Sequence, residues 1–185
     1  MNAKPVMLDL FSGMGGASQV MVERGWRVVR VDIERRFKPT IVADVLNLPL
    51  KPFYVDLLWA SPPCQEFSRW GMPASWKCNA GGKRKPDMKL ASSIKPILWH
   101  FRPTFWVIEN VRSSVPFLVN LFGGPRCKVD GHVFWGNLPC LLPQTKGHKW
   151  RLFPSPERVS LRAQIPREIS EAVCLGVERR MRLIP

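Results

Sequence analysis

The sequence is poor in acids. Its 185 residues carry 14 Asp and Glu against 28 Lys and Arg, a formal charge of +14. It is also poor in the residues that build metal or disulfide frameworks. The cysteines, Cys64, Cys78, Cys127, Cys140 and Cys174, form no C-x-x-C pair, and their odd number argues against a disulfide scaffold. The three histidines, His100, His132 and His148, are scattered, so no zinc site and no other metal is expected. No uncharged apolar run is long enough to span a bilayer, so no membrane partner is expected. The chain enters a strand-like run, Val6-Met7-Leu8-Asp9-Leu10, without the basic segment and apolar stretch of a signal peptide. The expectation is therefore a cytoplasmic protein. Internal repeats and low-complexity tracts are missing too, which leaves out solenoids and disordered tails.

What is present is a 45% hydrophobic chain, enough for one domain with a proper core. Its positive charge is the electrostatic footprint of a polyanion-binding protein, with nucleic acid the leading partner. A basic surface with no partner would have the same composition. Strand-like and helix-like segments alternate, which predicts an α/β fold: a mostly parallel sheet with helices on both faces. Strands are expected at 5–10, 27–32, 41–44, 55–60 and 105–109, and a hairpin at 126–136 around Asp130-Gly131. Helices are expected at 17–24, 87–101 (interrupted or kinked by Pro96), 114–121 and 167–178.

Three segments interrupt this pattern, at 11–16, 61–68 and 109–111, each following an expected strand. Ligands of open α/β sheets bind beyond the carboxyl ends of the strands, so the three are expected to converge. In Asp9-Leu10-Phe11-Ser12-Gly13-Met14-Gly15-Gly16 the glycines allow a sharp turn and close approach of a ligand. Asp32, ending the second strand, is placed to bind ribose hydroxyls. The loop lacks the full G-x-G-x-x-G and any Walker lysine, so an adenosine cofactor without phosphates suits it best; an ordinary strand-to-helix turn is the alternative. In Ser61-Pro62-Pro63-Cys64-Gln65-Glu66-Phe67-Ser68, two prolines stiffen the loop that carries Cys64. A thiol in a stiff polar loop reads as a nucleophile, against the alternative of a structural cysteine. Glu109-Asn110-Val111 puts a carboxyl beside the same region, as an acid or as a solvent-side cap of the next helix.

In order and spacing these three motifs resemble the signatures D-L-F-x-G-x-G-G, P-P-C-Q and E-N-V of the DNA cytosine-5 methyltransferase family, over residues 6–111. The tail, Arg162 to Pro166 and Ile169 to Val173, is similar to the closing segment of small phage-type members, whose helix returns to the cofactor pocket. The resemblance implies a Rossmann-like fold, S-adenosylmethionine as methyl donor, DNA as substrate, and a bacterial or phage-infected cell as setting. It implies that Cys64 adds to C6 of a flipped-out cytosine while Glu109 engages N3, making C5 nucleophilic. It places Phe11, Gly13, Gly15 and Gly16 along the cofactor, Asp32 on the ribose, Ile33 against the adenine and Asp44 at the adenine amino group. Pro63, Gln65, Ser68 and Asn110 are expected to contact the substrate.

The chain departs from the family in two ways. The usual Q-x-R-x-R strand is not intact in the matching region, 126–137, where Arg126, Lys128 or His132 stand as substitutes. Only about 25 residues, 138–161, occupy the place of the target-recognition domain, too few for an independent unit, so 1–185 reads as one catalytic domain. Residues 69–102 hold eight basic side chains against one acid, and Lys83, Arg84 and Lys85 within them are expected on the DNA backbone. A methyltransferase acting on transfer RNA, as one branch of the family does, and an inactive DNA-binding relative are the competing readings.

Overall fold

A computed structural model describes residues 4–68, 86–129, 131–138, 143 and 164–182. They form a seven-stranded sheet: β1 (Val6–Leu10), β2 (Arg27–Asp32), β3 (Ile41–Val42), β4 (Leu57–Ala60), β5 (Phe105–Val111), β6 (Cys127–Val129) and β7 (His132–Gly136). The order across it is β3-β2-β1-β4-β5-β7-β6. The first five strands are parallel; β7 runs antiparallel between β5 and β6. The helices are α1 (Gln19–Glu23), α2 (Lys89–Phe101), α3 (Val115–Phe122) and α4 (Arg167–Met181). This is the mostly parallel sheet with helices on both faces expected from the alternating pattern, in the Rossmann-like arrangement that the resemblance implied.

The two central strands, β1 and β4, are buried on both faces, and apart from Asp9 they are apolar, as suits strands covered by helices on each side. Alternation sends Met7, Leu57, Trp59 and Val107 to one core, closed by Val20 and Met21 of α1 and by Ile169, Val173 and Val177 of α4. It sends Leu8, Leu10, Leu58, Ala60 and Ile108 to the other, closed by Ala91, Ile94 and Ile97 of α2 and Leu118 of α3. Buried indoles keep a hydrogen-bond partner: Trp59 donates to Ser61 Oγ at 3.1 Å and Trp135 to the Gly123 carbonyl at 3.0 Å.

Two local expectations need correction. Of the two outcomes expected at Pro96, the interruption does not occur; α2 runs from Lys89 to Phe101 through it. The ring lies on the exposed side, where the carbonyl that loses its donor is near water. Glu109, Asn110 and Val111 are not a loop. They are the last residues of β5, paired with Phe134, Val133 and His132 of β7. Periodicity along 105–111 alone does not show that an antiparallel neighbour extends the strand. Among the described residues, no helix is long and apolar enough to cross a membrane.

Strand order reverses between β1, which leads outward to β2, and β4, which leads to β5. The crevice beyond the carboxyl ends of these two strands is where ligands enter such sheets. The loops at 11–16 and 61–68 flank it.

Candidate active site

The glycine loop is held from the neighbouring strand. Asp9 lies opposite Arg30 in the β1–β2 register, and Arg30 and Asp32 share one face of β2. Arg30 donates through Nη2 to the Gly13 carbonyl at 2.6 Å, and the Gly13 N–H donates to Asp32 Oδ2 at 2.7 Å. Both backbone polar groups of Gly13 are thus clamped by β2. Asp32 Oδ1 also accepts from the Glu34 N–H at 2.8 Å. Phe11 adopts φ 56°, a conformation costly for a non-glycine residue and consistent with a tightly determined turn.

The glycines do different jobs. Above Gly13, with φ +48°, nothing lies within 4 Å of where a Cβ would stand, so its surface is open to a ligand. A Cβ on Gly15 would stand 2.9 Å from the Arg30 guanidinium carbon, and one on Gly16 would stand 3.0 Å from the Ile165 nitrogen. Gly15 and Gly16 therefore make room for Arg30 and for the segment leading into α4. That segment does return to the loop, as the resemblance implied: Ser170 Oγ donates to the Ala17 carbonyl at 2.7 Å.

Buried polar atoms around this loop have no protein partner: Asp9 Oδ2, Ser12 Oγ and Arg30 Nε. Burial pushes the Asp9 carboxyl up to about 7, against the lowering effects of Ser18 and Arg30. Open space over Gly13 beside unsatisfied polar atoms fits a small, polar, adenosine-bearing ligand. Ile33 projects into solvent at the end of β2, 64% exposed, available to cover an aromatic ring. Asp44 caps the turn at 45–47, accepting the Leu46 N–H at 2.9 Å through Oδ1.

The second loop is fixed from below and from the side. The Cys64 carbonyl accepts from the N–H groups of Phe67 at 2.9 Å and Ser68 at 2.8 Å, making a tight turn. Phe67 is buried against Phe117, with ring centroids 5.9 Å apart. Asn110 is buried, and its amide donates to the Pro62 carbonyl at 2.9 Å, tying the loop to β5. Pro63 and Gln65 are exposed, and Cys64 and Ser68 half-buried.

Glu109 is 7% exposed, which rules out a solvent-side helix cap. With its carboxyl ionised, it accepts at Oε1 from His132 Nδ1 at 2.7 Å. Cys64 is near enough to feel this charge. Burial first, and Glu109 second, raise its thiol above the ordinary range. The resting side chain is a protonated thiol beside a carboxylate.

Of the other expected substrate contacts, Arg126 and Lys128 are exposed on and beside β6. Lys128 pairs with Val133, whose side chain belongs to the α2–α3 core, so Lys128 points away from Glu109. Lys83, Arg84 and Lys85 lie outside the described residues, as does nearly all of 138–161. Arg30 and Ser12 went unassigned in the sequence reading. The available signal was a cation inside a strand-like run, two residues before an acid on the same face.

The family model for C-5 cytosine-specific DNA methylases matches residues 6–116. The chain belongs to this family. The matched stretch runs from β1 beyond E-N-V and contains both loops and the end of β5. A probable DNA (cytosine-5)-methyltransferase of Frog virus 3 is 29% identical over 115 residues, covering 56% of this methylase-family chain and 52% of the viral protein. The chain thus spans about half the length of that relative. Among solved structures, a putative DNA modification methyltransferase from an Escherichia coli prophage aligns at 18% identity and TM-score 0.47, over 72% of this chain and 46% of that one. A methyltransferase of Entamoeba histolytica aligns at 19% identity and TM-score 0.43, over 65% and 42%.

Proposed function

We propose that this protein methylates C5 of cytosine in DNA, with Cys64 as nucleophile and Glu109 as the acid at N3. The observation that carries this reading is the meeting of Cys64 and Glu109. They sit at the carboxyl ends of adjacent strands, one raising the proton affinity of the other, beside the glycine loop of β1.

C5 of cytosine is a poor nucleophile. Sulfur of Cys64 forms a bond to C6 as its proton passes to the Glu109 carboxylate; Glu109 hands that proton on to N3, and the electrons of the C5–C6 double bond move into the ring. The ring then behaves as an enamine at C5. The proton lost by Cys64 is the one gained at N3, and it is carried by Glu109, the group whose charge holds it on the sulfur at rest. S-adenosylmethionine, when bound, supplies an electrophilic methyl group. Loss of the C5 proton and departure of Cys64 restore the aromatic ring. The base is out of the duplex stack throughout, because neither Cys64 nor Glu109 can reach it otherwise.

Phe11, Gly13, Asp32, Ile33 and Asp44 would hold the cofactor, with Ser12 and Asp9 offering their unpartnered atoms. Gly15 and Gly16 would act by letting Arg30 and the tail support the loop. Pro63, Gln65 and Ser68 would face the base, and Asn110 would keep their loop in place. Arg126, Lys128, Lys83, Arg84 and Lys85 would meet phosphates.

The test is methyl transfer from labelled cofactor to DNA or to transfer RNA, with DNA containing 5-fluorocytosine as a trap. Wild type is expected to label DNA and to form a covalent adduct, because fluorine at C5 blocks the final elimination. Cys64→Ala is expected to do neither while binding the cofactor normally. Labelling of RNA alone would move the substrate; labelling by Cys64→Ala would remove the mechanism.

A further inference from the structure

The proposed reaction needs Glu109 oriented and charge-compensated, and the sequence does not have the intact arginine strand the family uses in this region. β7 brings His132 there instead. His132 pairs with Val111 across the β5–β7 ladder, and Glu109 pairs with Phe134, so both side chains lie diagonally on one face. Their side chains are 16% and 9% exposed, and the contact is 2.7 Å. A carboxylate this buried needs a donor, and the imidazole Nδ1–H supplies it. The His132 ring also lies over Phe134, centroids 6.2 Å apart, which restrains its orientation.

We propose that His132 is the positioning residue for Glu109, fixing Oε1 through Nδ1 so that Oε2 is presented to N3 of the cytosine. The proposal rests on the functional reading above. On the elements around the pair, the described titratable or charged groups are Cys64 after β4, Arg112 after β5, and Arg126, Cys127 and Lys128 at β6. Lys128 is on the opposite face, Arg112 and Arg126 are exposed, and Cys127 pairs with Phe134 on the face of Glu109. The contact that His132 makes with a charged group here is the one to Glu109. As imidazolium or as neutral imidazole protonated at Nδ1, His132 donates to Oε1, so positioning survives a change in its charge.

Three variants separate the donor from the bulk. His132→Asn places an amide N–H near where Nδ1 stood, His132→Phe keeps a ring without a donor, and His132→Ala removes both. The expectation is a fall in kcat of about tenfold or more for the Phe and Ala variants, the scale of a lost hydrogen bond to a charged group, with KM for DNA little changed. His132→Asn should recover most of kcat and flatten the limb of the kcat–pH profile that His132 sets. A second measurement needs no activity. The His132 imidazole, followed by nitrogen NMR, should titrate higher in wild type than in Glu109→Gln. Equal titration in the two proteins would overturn the pair, whatever the enzyme does. Wild-type kcat in His132→Phe, or an Asn variant as impaired as Ala, would overturn the positioning role. A wild type that methylates no cytosine would instead remove the functional reading, and the NMR result would still decide the pair.

Discussion

Asp32 accepts the Gly13 N–H at 2.7 Å, so the acid expected to hold the cofactor ribose also holds the loop beneath the cofactor. Each carboxylate oxygen has more than one acceptor site, so the two roles are compatible. Asp32→Ala removes both. S-adenosylmethionine affinity is expected to fall by roughly 1.5–3 kcal/mol, measured by calorimetry, with some added loss from a slack loop. Asp32→Asn keeps an acceptor for Gly13 and should lose less. An unchanged dissociation constant in Asp32→Ala would place the ribose elsewhere.

Glu109 and Cys64 make a second coupled pair, with an outcome readable without substrate. The carboxylate raises the proton affinity of the thiol, so removing its charge lowers it. Glu109→Gln should therefore alkylate faster at Cys64 with iodoacetamide near neutral pH. Mass spectrometry of the 61–68 peptide reports the site. A slower or equal rate would mean that burial alone sets the thiol.

The mostly parallel sheet and the loops that follow its strands at 11–16 and 61–68 were legible in the sequence, because buried parallel strands read as apolar runs ended by glycine or proline; the strand order was not. Partnerships between distant strands were not. Nothing local to Glu109 announces His132, since the contact depends on the register of an antiparallel strand. The E-N-V segment read as a loop for the same reason: its strand character comes from β7. Arg30 read as an ordinary strand residue because its role depends on the fold of a loop 17 residues earlier. The glycines were assigned to the cofactor as a group, whereas the Cβ positions divide them between ligand and chain.

Asp9 should make stability depend on pH. Its folded value is about 7 against 3.8 for the ordinary side chain, so between these limits the folded state holds the proton more tightly than the unfolded one. Stability contributed by this group is fully present below about pH 4 and is lost as pH rises toward 7, by about 3–5 kcal/mol in total. Asp9→Asn mimics the protonated acid and should remove this dependence. Urea unfolding of both proteins at pH 5 and pH 8 is the check. The difference between variant and wild type should grow at the higher pH, and a constant difference would show that Asp9 is already ionised at pH 5.

The approach of the tail to the glycine loop supplies the last prediction. A methyl group at Gly16 would meet the Gln164 Cγ at 2.6 Å and the Ile165 backbone nitrogen at 3.0 Å. The glutamine side chain can swing aside, but the Ile165 backbone cannot, since Ile165 is buried and Ser170 is bonded to Ala17 just beyond. Gly16→Ala should push the start of α4 outward and destabilise the protein by about 1–3 kcal/mol, the usual range for overpacking. Gly124→Ala is the control, because nothing lies within 4 Å of its added carbon. Hydrogen exchange should localise the loss to α4 and to α1, which it covers, while α2 and α3 on the other face of the sheet stay protected. The cofactor is expected to bind more weakly in the Gly16 variant, since the loop and the tail brace each other. Equal melting of the two variants would show that the tail is loosely docked and gives the loop no support.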